Sequence, residues 1–238
     1  MRKLAAAAVT VAMLAGAGVA IAAIQSPAVH VKATVTPSKA GTPKHPQGVK
    51  LTTNLTWQKL GATKQPIVTK FFVWFPKGSL YNGGKVSSCS KSKIAKGPSK
   101  CPKASIMGSG SGTAYAGVST ITHPSITVVN GGAKTIYFYT VLNNPARVRK
   151  AVVGTVSKSS GQYAYELSVS IPKELQVVAG DPIELTALNV KAGKGSWLAT
   201  TSCPGGKWPF KVTTDYTAGE SGSGNGSAST TSSVKCTS

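Results

Sequence analysis

Tyr163-Ala164-Tyr165-Glu166-Leu167-Ser168-Val169-Ser170-Ile171 is the stretch on which the fold turns. Tyr163, Tyr165, Leu167, Val169 and Ile171 fall on one side of an extended chain, and Ala164, Glu166, Ser168 and Ser170 fall on the other. Side chains alternate across a strand, so a two-residue period with one apolar face specifies a half-buried antiparallel strand. Pro172 cannot continue a ladder and ends it.

The same period recurs on both sides of this stretch. Val29, Val31, Ala33 and Val35 share a face ahead of Pro37, and Val49, Leu51, Thr53, Leu55 and Trp57 form the next run. Val148 to Val156, Ile183 to Val190, Trp197 to Ser202 and Trp208 to Tyr216 continue it. In Phe71-Phe72-Val73-Trp74-Phe75 both faces are apolar, which predicts a strand buried on both sides. Ser125 to Val129 and Lys134 to Leu142 read as a hairpin around Asn130-Gly131-Gly132. Ser105 to Val118 is rich in Gly and Ser and alternates weakly, as in a bulged or closely packed strand. Only Lys173 to Ala179 has room for a helical turn. About ten short strands divided by Gly, Pro and Asn turns specify an all-β chain. The expected architecture is an antiparallel β-sandwich of jelly-roll or immunoglobulin-like type, one domain over residues 29–217. No pair of cysteines flanks a Trp at immunoglobulin spacing. Residues 218–238 read as a Gly/Ser-rich tail tied back by Cys236.

The N-terminus carries an export signal. Met1-Arg2-Lys3 is a positive start, Leu4 to Ile24 is an apolar run, and Ala20-Ile21-Ala22 has the small-x-small form that signal peptidase accepts. Residues 1–23 are therefore expected to be a signal peptide, and the protein to be extracellular or in the cell envelope. The alternative is an uncleaved anchor, since the run is long enough to span a bilayer. No later segment is, so no membrane span is expected after cleavage. Cys89, Cys101, Cys203 and Cys236 make an even count in an exported chain and imply two disulfides. Of three possible pairings, proximity favours Cys89–Cys101 and Cys203–Cys236. Zinc is disfavoured, because there is no Cys-x-x-Cys pair and no His near a Cys.

Charge is the most unusual global feature. The chain has 27 Lys and Arg against 6 Asp and Glu, a formal net charge of +21. Such a surplus attracts polyanions with a strong dependence on salt. Anionic cell-wall polymers or polysaccharides, acidic lipid headgroups and extracellular nucleic acid are the candidate partners. The bland alternative is that lysines keep a β-protein soluble and guard its strand edges. Dispersal of the lysines along the chain argues against a sequence-specific nucleic-acid reader. The densest cluster is the basic excursion with Lys91, Lys93, Lys96, Lys100 and Lys103, which has no helical period and reads as a loop.

Catalytic constellations are sparse. His30, His45 and His123 have no acid or nucleophile at motif spacing, and there is no Gly-x-Ser-x-Gly or His-Glu-x-x-His. Glu166 and Glu184, which fall on predicted strands, are the acids a glycosidase would need to pair. Both are expected to face solvent beside lysines. The glycines of Met107 to Thr113 lack the Gly-Lys-Ser/Thr ending of a phosphate loop. Acids are too scattered for a calcium loop. Neither metal nor cofactor is implied. Among the aromatics, Trp57 and Trp74 sit in strong strand patterns and read as core. Trp197 and Trp208 flank Cys203 in Gly-rich surroundings and are the better candidates for a sugar-stacking surface.

Phe75-Pro76-Lys77-Gly78, the lone Cys89, the run Cys101-Pro102-Lys103-Ala104-Ser105-Ile106-Met107-Gly108-Ser109-Gly110 and Thr36-Pro37-Ser38-Lys39-Ala40-Gly41-Thr42 carry a resemblance. Together, over about a quarter of the chain, they are similar to a group of uncharacterised secreted proteins from actinobacteria. The resemblance implies export, a β-rich fold and the same two disulfide pairs, and it carries no activity. The leading expectation is a non-enzymatic, exported β-sandwich that associates with anionic polymers through its lysines. A carbohydrate-binding module using Trp197 and Trp208 comes second, and a secreted hydrolase third. Oligomeric state is left open.

Overall fold

The computed structural model describes residues 28–58, 67–117, 119–217 and 225–238, and the expected signal peptide lies outside them. The strands in chain order are β1 (Val29–Thr36), β2 (Gln47–Gly48), β3 (Lys50–Trp57), β4 (Ile67–Pro76), β5 (Ser79–Tyr81), β6 (Ile106–Ala116), β7 (Thr120–Thr122) and β8 (Ser125–Gly132). They continue with β9 (Thr135–Leu142), β10 (Val148–Lys158), β11 (Tyr163–Ser170), β12 (Val177–Val178), β13 (Asp181–Ala192), β14 (Leu198–Thr200), β15 (Lys207–Thr217) and β16 (Asn225–Lys235). Among the described residues two single-turn α-helices, α1 (Lys91–Ile94) and α2 (Lys173–Gln176), and four short 3-10 turns accompany the strands.

The chain is all-β and antiparallel, with two disulfides. The two facing layers of a sandwich come from one sheet curled into a nearly closed barrel. Its strands run in the order β1-β3-β13-β6-β8-β9-β10-β11-β4-β15-β16, with β7 added to β6 and β12 to β13. A small second sheet, β2-β14-β5, lies at the end of the barrel where β1 finishes. Every neighbouring pair along the main path is antiparallel. Eleven strands is an odd number, so the first and last, β1 and β16, point the same way. The Ala33 N–H of β1 donates to Ser232 Oγ of β16 at 3.3 Å, and just beyond the two strands a parallel bridge joins Lys39 and Thr237. Side chains hold this seam together: Ala33, Val35 and Val49 pack with Trp208 and Phe210.

Alternation assigns the faces as the sequence implies. On β11, Leu167 and Val169 are buried in the barrel and Tyr165 and Ile171 pack against them. On β4, Phe71 is buried inside, whereas Phe72 and Trp74 turn outward and are half-buried, so that strand is not covered on both faces. The Gly-rich segment forms β6, which is bulged at Met107 against β8, while its pairing with β13 is interrupted by an extra residue on β13, Thr186. A side chain at Gly108 would collide with the Lys191 carbonyl of β13, which explains the small residues there. Part of the expected tail is a strand: β16 pairs with β15 from Asn225↔Thr217 to Lys235↔Lys207.

Both disulfide pairs form as proximity favours. Cys89–Cys101 has a Cα–Cα distance of 5.2 Å and Cys203–Cys236 one of 5.9 Å. The second closes the β15–β16 hairpin, and the first clamps the excursion between β5 and β6.

Candidate functional site

The excursion is more ordered than a loop reading implies. It holds α1 and short 3-10 turns at Pro98–Lys100 and Lys103–Ser105. Ile94 is fully buried, and with both cysteines it packs on Val129, Tyr137 and Tyr139, which face outward from β8 and β9. One apolar side chain and one disulfide thus fasten the segment to the outside of the barrel. The Cys89 N–H donates to the Asn130 carbonyl at 2.8 Å, continuing the attachment.

Asn130, placed in a turn by its sequence, is instead the buried anchor of this end of the barrel. Its Nδ2 donates to the Gly83 carbonyl at 2.8 Å and the Ser87 carbonyl at 3.0 Å. Its Oδ1 accepts from Trp197 Nε1 and from the Gly132 N–H, both at 3.2 Å. The Tyr81 hydroxyl donates to the Gly132 carbonyl at 2.8 Å, and its ring meets Trp197 edge-on. Burial pushes the Tyr81 phenol up to about 12, with the Trp197 hydrogen bond pulling the other way.

On this base Lys91, Lys93, Lys96, Lys100 and Lys103 are all exposed. No Asp or Glu occurs between Asn82 and Ser105. The structure therefore brings the five lysines onto one clamped element with no acid inside it.

The expected sugar-stacking pair is overturned. Trp197 and Trp208 are each 1% exposed. Trp197 donates to Asn130 and lines the barrel interior, while Trp208 Nε1 donates to the Ser202 carbonyl at 2.9 Å beneath the seam. The outward aromatic pair is Phe72 with Trp74, stacked at 5.9 Å and 26°, with Lys211 Nζ 4.7 Å from the Trp74 ring centre. Trp57 is core as expected, at 3% exposure.

The acids also depart from expectation. Glu184 is buried rather than solvent-facing. Glu166 stands outward on β11, with β6, β8, β9 and β10 between it and β13, so the two carboxylates do not face each other. Glu174 is paired with Lys150 at 2.6 Å, a contact that lowers its pKa. His30, His45 and His123 are exposed and on separate elements. Among the described residues no cluster of three or more His, Cys, Asp or Glu is placed to hold a metal, and no helix is long and apolar enough to cross a membrane.

The barrel interior contains what the sequence did not announce. A cavity of about 200 Å³ is lined by inward residues of the wall strands, from Leu51, Phe75 and Trp197 near one end to Leu142, Leu175 and Ile183 near the other. At roughly 24 cal/mol per Å³, a void of this size forgoes on the order of 5 kcal/mol of packing.

No family model matches the chain, and no curated protein matches it. Among solved structures it is similar to AggA, the major subunit of aggregative adherence fimbriae type I from Escherichia coli. The two are 10% identical over 88% of this chain and 94% of that one, with a TM-score of 0.26. A likeness that slight bears on neither fold nor function.

Proposed function

We propose that this is an exported, non-enzymatic envelope protein, of the actinobacterial secreted group its segments resemble, that associates with anionic polymers through its basic excursion. The observation that carries the reading is the set Lys91, Lys93, Lys96, Lys100 and Lys103, all exposed on a segment that a disulfide and Ile94 fasten to the barrel. A fixed array of cations loses less conformational freedom on binding than lysines on a free loop, and each phosphate or carboxylate it neutralises releases a counterion. Two disulfides fit an oxidising, extracellular setting.

The test is retention of the purified chain on isolated cell walls, anionic polysaccharide and DNA across a salt series. Binding is expected to weaken steeply with salt, and replacing Lys91, Lys93, Lys96 and Lys100 by Ala is expected to flatten that dependence. Salt-sensitive binding that survives the four substitutions would place the contact elsewhere.

A second reading has its own observation. The half-buried Phe72–Trp74 stack lies on an outward sheet face, with Glu166 of β11 and Lys211 of β15 opposite Trp74. Aromatic faces flanked by polar groups suit sugar rings. On this reading retention on one glycan resists salt and is lost on Trp74→Ala.

A further inference from the structure

We infer that the barrel interior is a binding site for a linear aliphatic chain, the acyl portion of a lipid or fatty acid. Three observations carry this, and none involves the excursion.

The first is chemistry. The cavity is walled by Leu, Ile, Val and Phe side chains, and the only hydroxyls among the lining residues are those of Thr53 and Thr140. Both are committed to carbonyls of the wall, Thr53 Oγ1 to Val190 and Thr140 Oγ1 to Phe138. The Trp197 N–H is likewise taken by Asn130. A sugar, nucleotide or peptide placed here would lose its hydrogen bonds to water and regain none. Water itself needs two to four polar partners, which this wall does not supply.

The second is shape. The lining takes in Ile136, Phe138, Thr140 and Leu142, alternate residues along the whole of β9. Ile136 to Leu142 spans about 20 Å of extended chain, or roughly 15 Å of height once strand tilt is allowed for. A volume of about 200 Å³ spread over such a length is narrow. It suits a chain rather than a fused ring system.

The third is residual exposure. Phe138, Leu185, Leu188 and Val190 point inward yet are only partly buried, because the barrel centre does not fill the space before them. Protein interiors are normally packed to crystal density with few voids larger than a water. A smaller engineered apolar cavity, about 150 Å³, is enough to bind benzene.

The experiment is titration of the delipidated full chain with cis-parinaric acid, a fluorescent linear fatty acid, exciting the tryptophans so that Trp197 in the wall reports insertion by energy transfer. Saturable transfer is expected. It should persist at high salt, be displaced by uncharged dodecanol, and accompany a rise in Tm. Leu188→Phe and, as a milder filling change, Ala192→Leu should weaken binding by about ten-fold or more while leaving the fold and Tm intact or improved. Absence of saturable transfer would overturn the proposal. So would transfer that vanishes with salt, that dodecanol fails to compete, or that both folded filling variants retain, since each places the probe on the surface.

Discussion

Trp197 Nε1 donates to Asn130 Oδ1 at 3.2 Å, and both residues are shut off from solvent, at 1% and 0% exposure. One side-chain amide therefore ties the indole that lines the cavity to the backbone that begins the basic excursion, through the carbonyls of Gly83 and Ser87.

Asn130→Ala leaves the buried indole N–H and the buried Gly83 carbonyl without their partner, and takes a part-buried bond from the Ser87 carbonyl. At about 1–3 kcal/mol for each unmet group, with local relaxation, the expected loss is about 3 kcal/mol or more. For a domain of this size Tm should fall by roughly 6–12 °C. Asn130→Asp should be no better, because a carboxylate accepts but cannot donate to Gly83 and Ser87. A thermal melt of either variant within about 2 °C of the parent would show that the anchor is dispensable.

Tyr81 makes stability depend on alkaline pH. An unfolded tyrosine ionises near 10, whereas the folded Tyr81 phenol holds its proton to about 12. Between those values the unfolded state carries fewer protons, so stability is present in full below about pH 10 and falls as pH rises towards 12. Tyr81→Phe should lie below the parent at neutral pH for want of the bond to Gly132, yet decline less from about pH 9 to about pH 11. Urea midpoints at the two pH values decide the matter. Equal declines in parent and variant would mean that Tyr81 is not the responsible group.

The two disulfides should differ in reach. In the chain-entropy model a separation of 33 residues at Cys203–Cys236 corresponds to about 4 kcal/mol, and one of 12 at Cys89–Cys101 to about 3 kcal/mol. Hydrogen exchange of the Cys203→Ser, Cys236→Ser double variant should speed up across β15 and β16. In the Cys89→Ser, Cys101→Ser variant the change should stay within residues 82–105. Exchange spreading into β15 from the latter pair would contradict the separate attachment described above.

Strand-level structure was legible where alternation had amplitude. β11 reads from its residues alone because Leu167 and Val169 differ sharply from Ser168 and Ser170. β16 does not, because Gly, Ser, Thr and Ala give both faces nearly the same character, and its inward contacts are as slight as Ala228 and Val234. The lysines of the excursion were visible, but its footing was not. Ile94 is one apolar residue among polar ones, and nothing local shows that Tyr137 and Tyr139 wait for it on the outer face of β9. Trp197 and Trp208 misled for a related reason, since their Gly-rich neighbours read like an open loop, whereas long-range packing and the bonds to Asn130 and Ser202 hold both indoles inside. The cavity follows from strand number and tilt, which no single segment encodes.

The odd count of strands has a directional consequence. With eleven antiparallel strands the chain enters the barrel at one pole, where β1 begins, and leaves it at the other, where β16 ends. The excursion is rooted at that exit pole, between β5 and β6. A surface holding the protein by the residues ahead of Val29 would meet one pole and have the root of the lysine array presented away from it. An even-stranded barrel would have returned both ends of the chain to the same side.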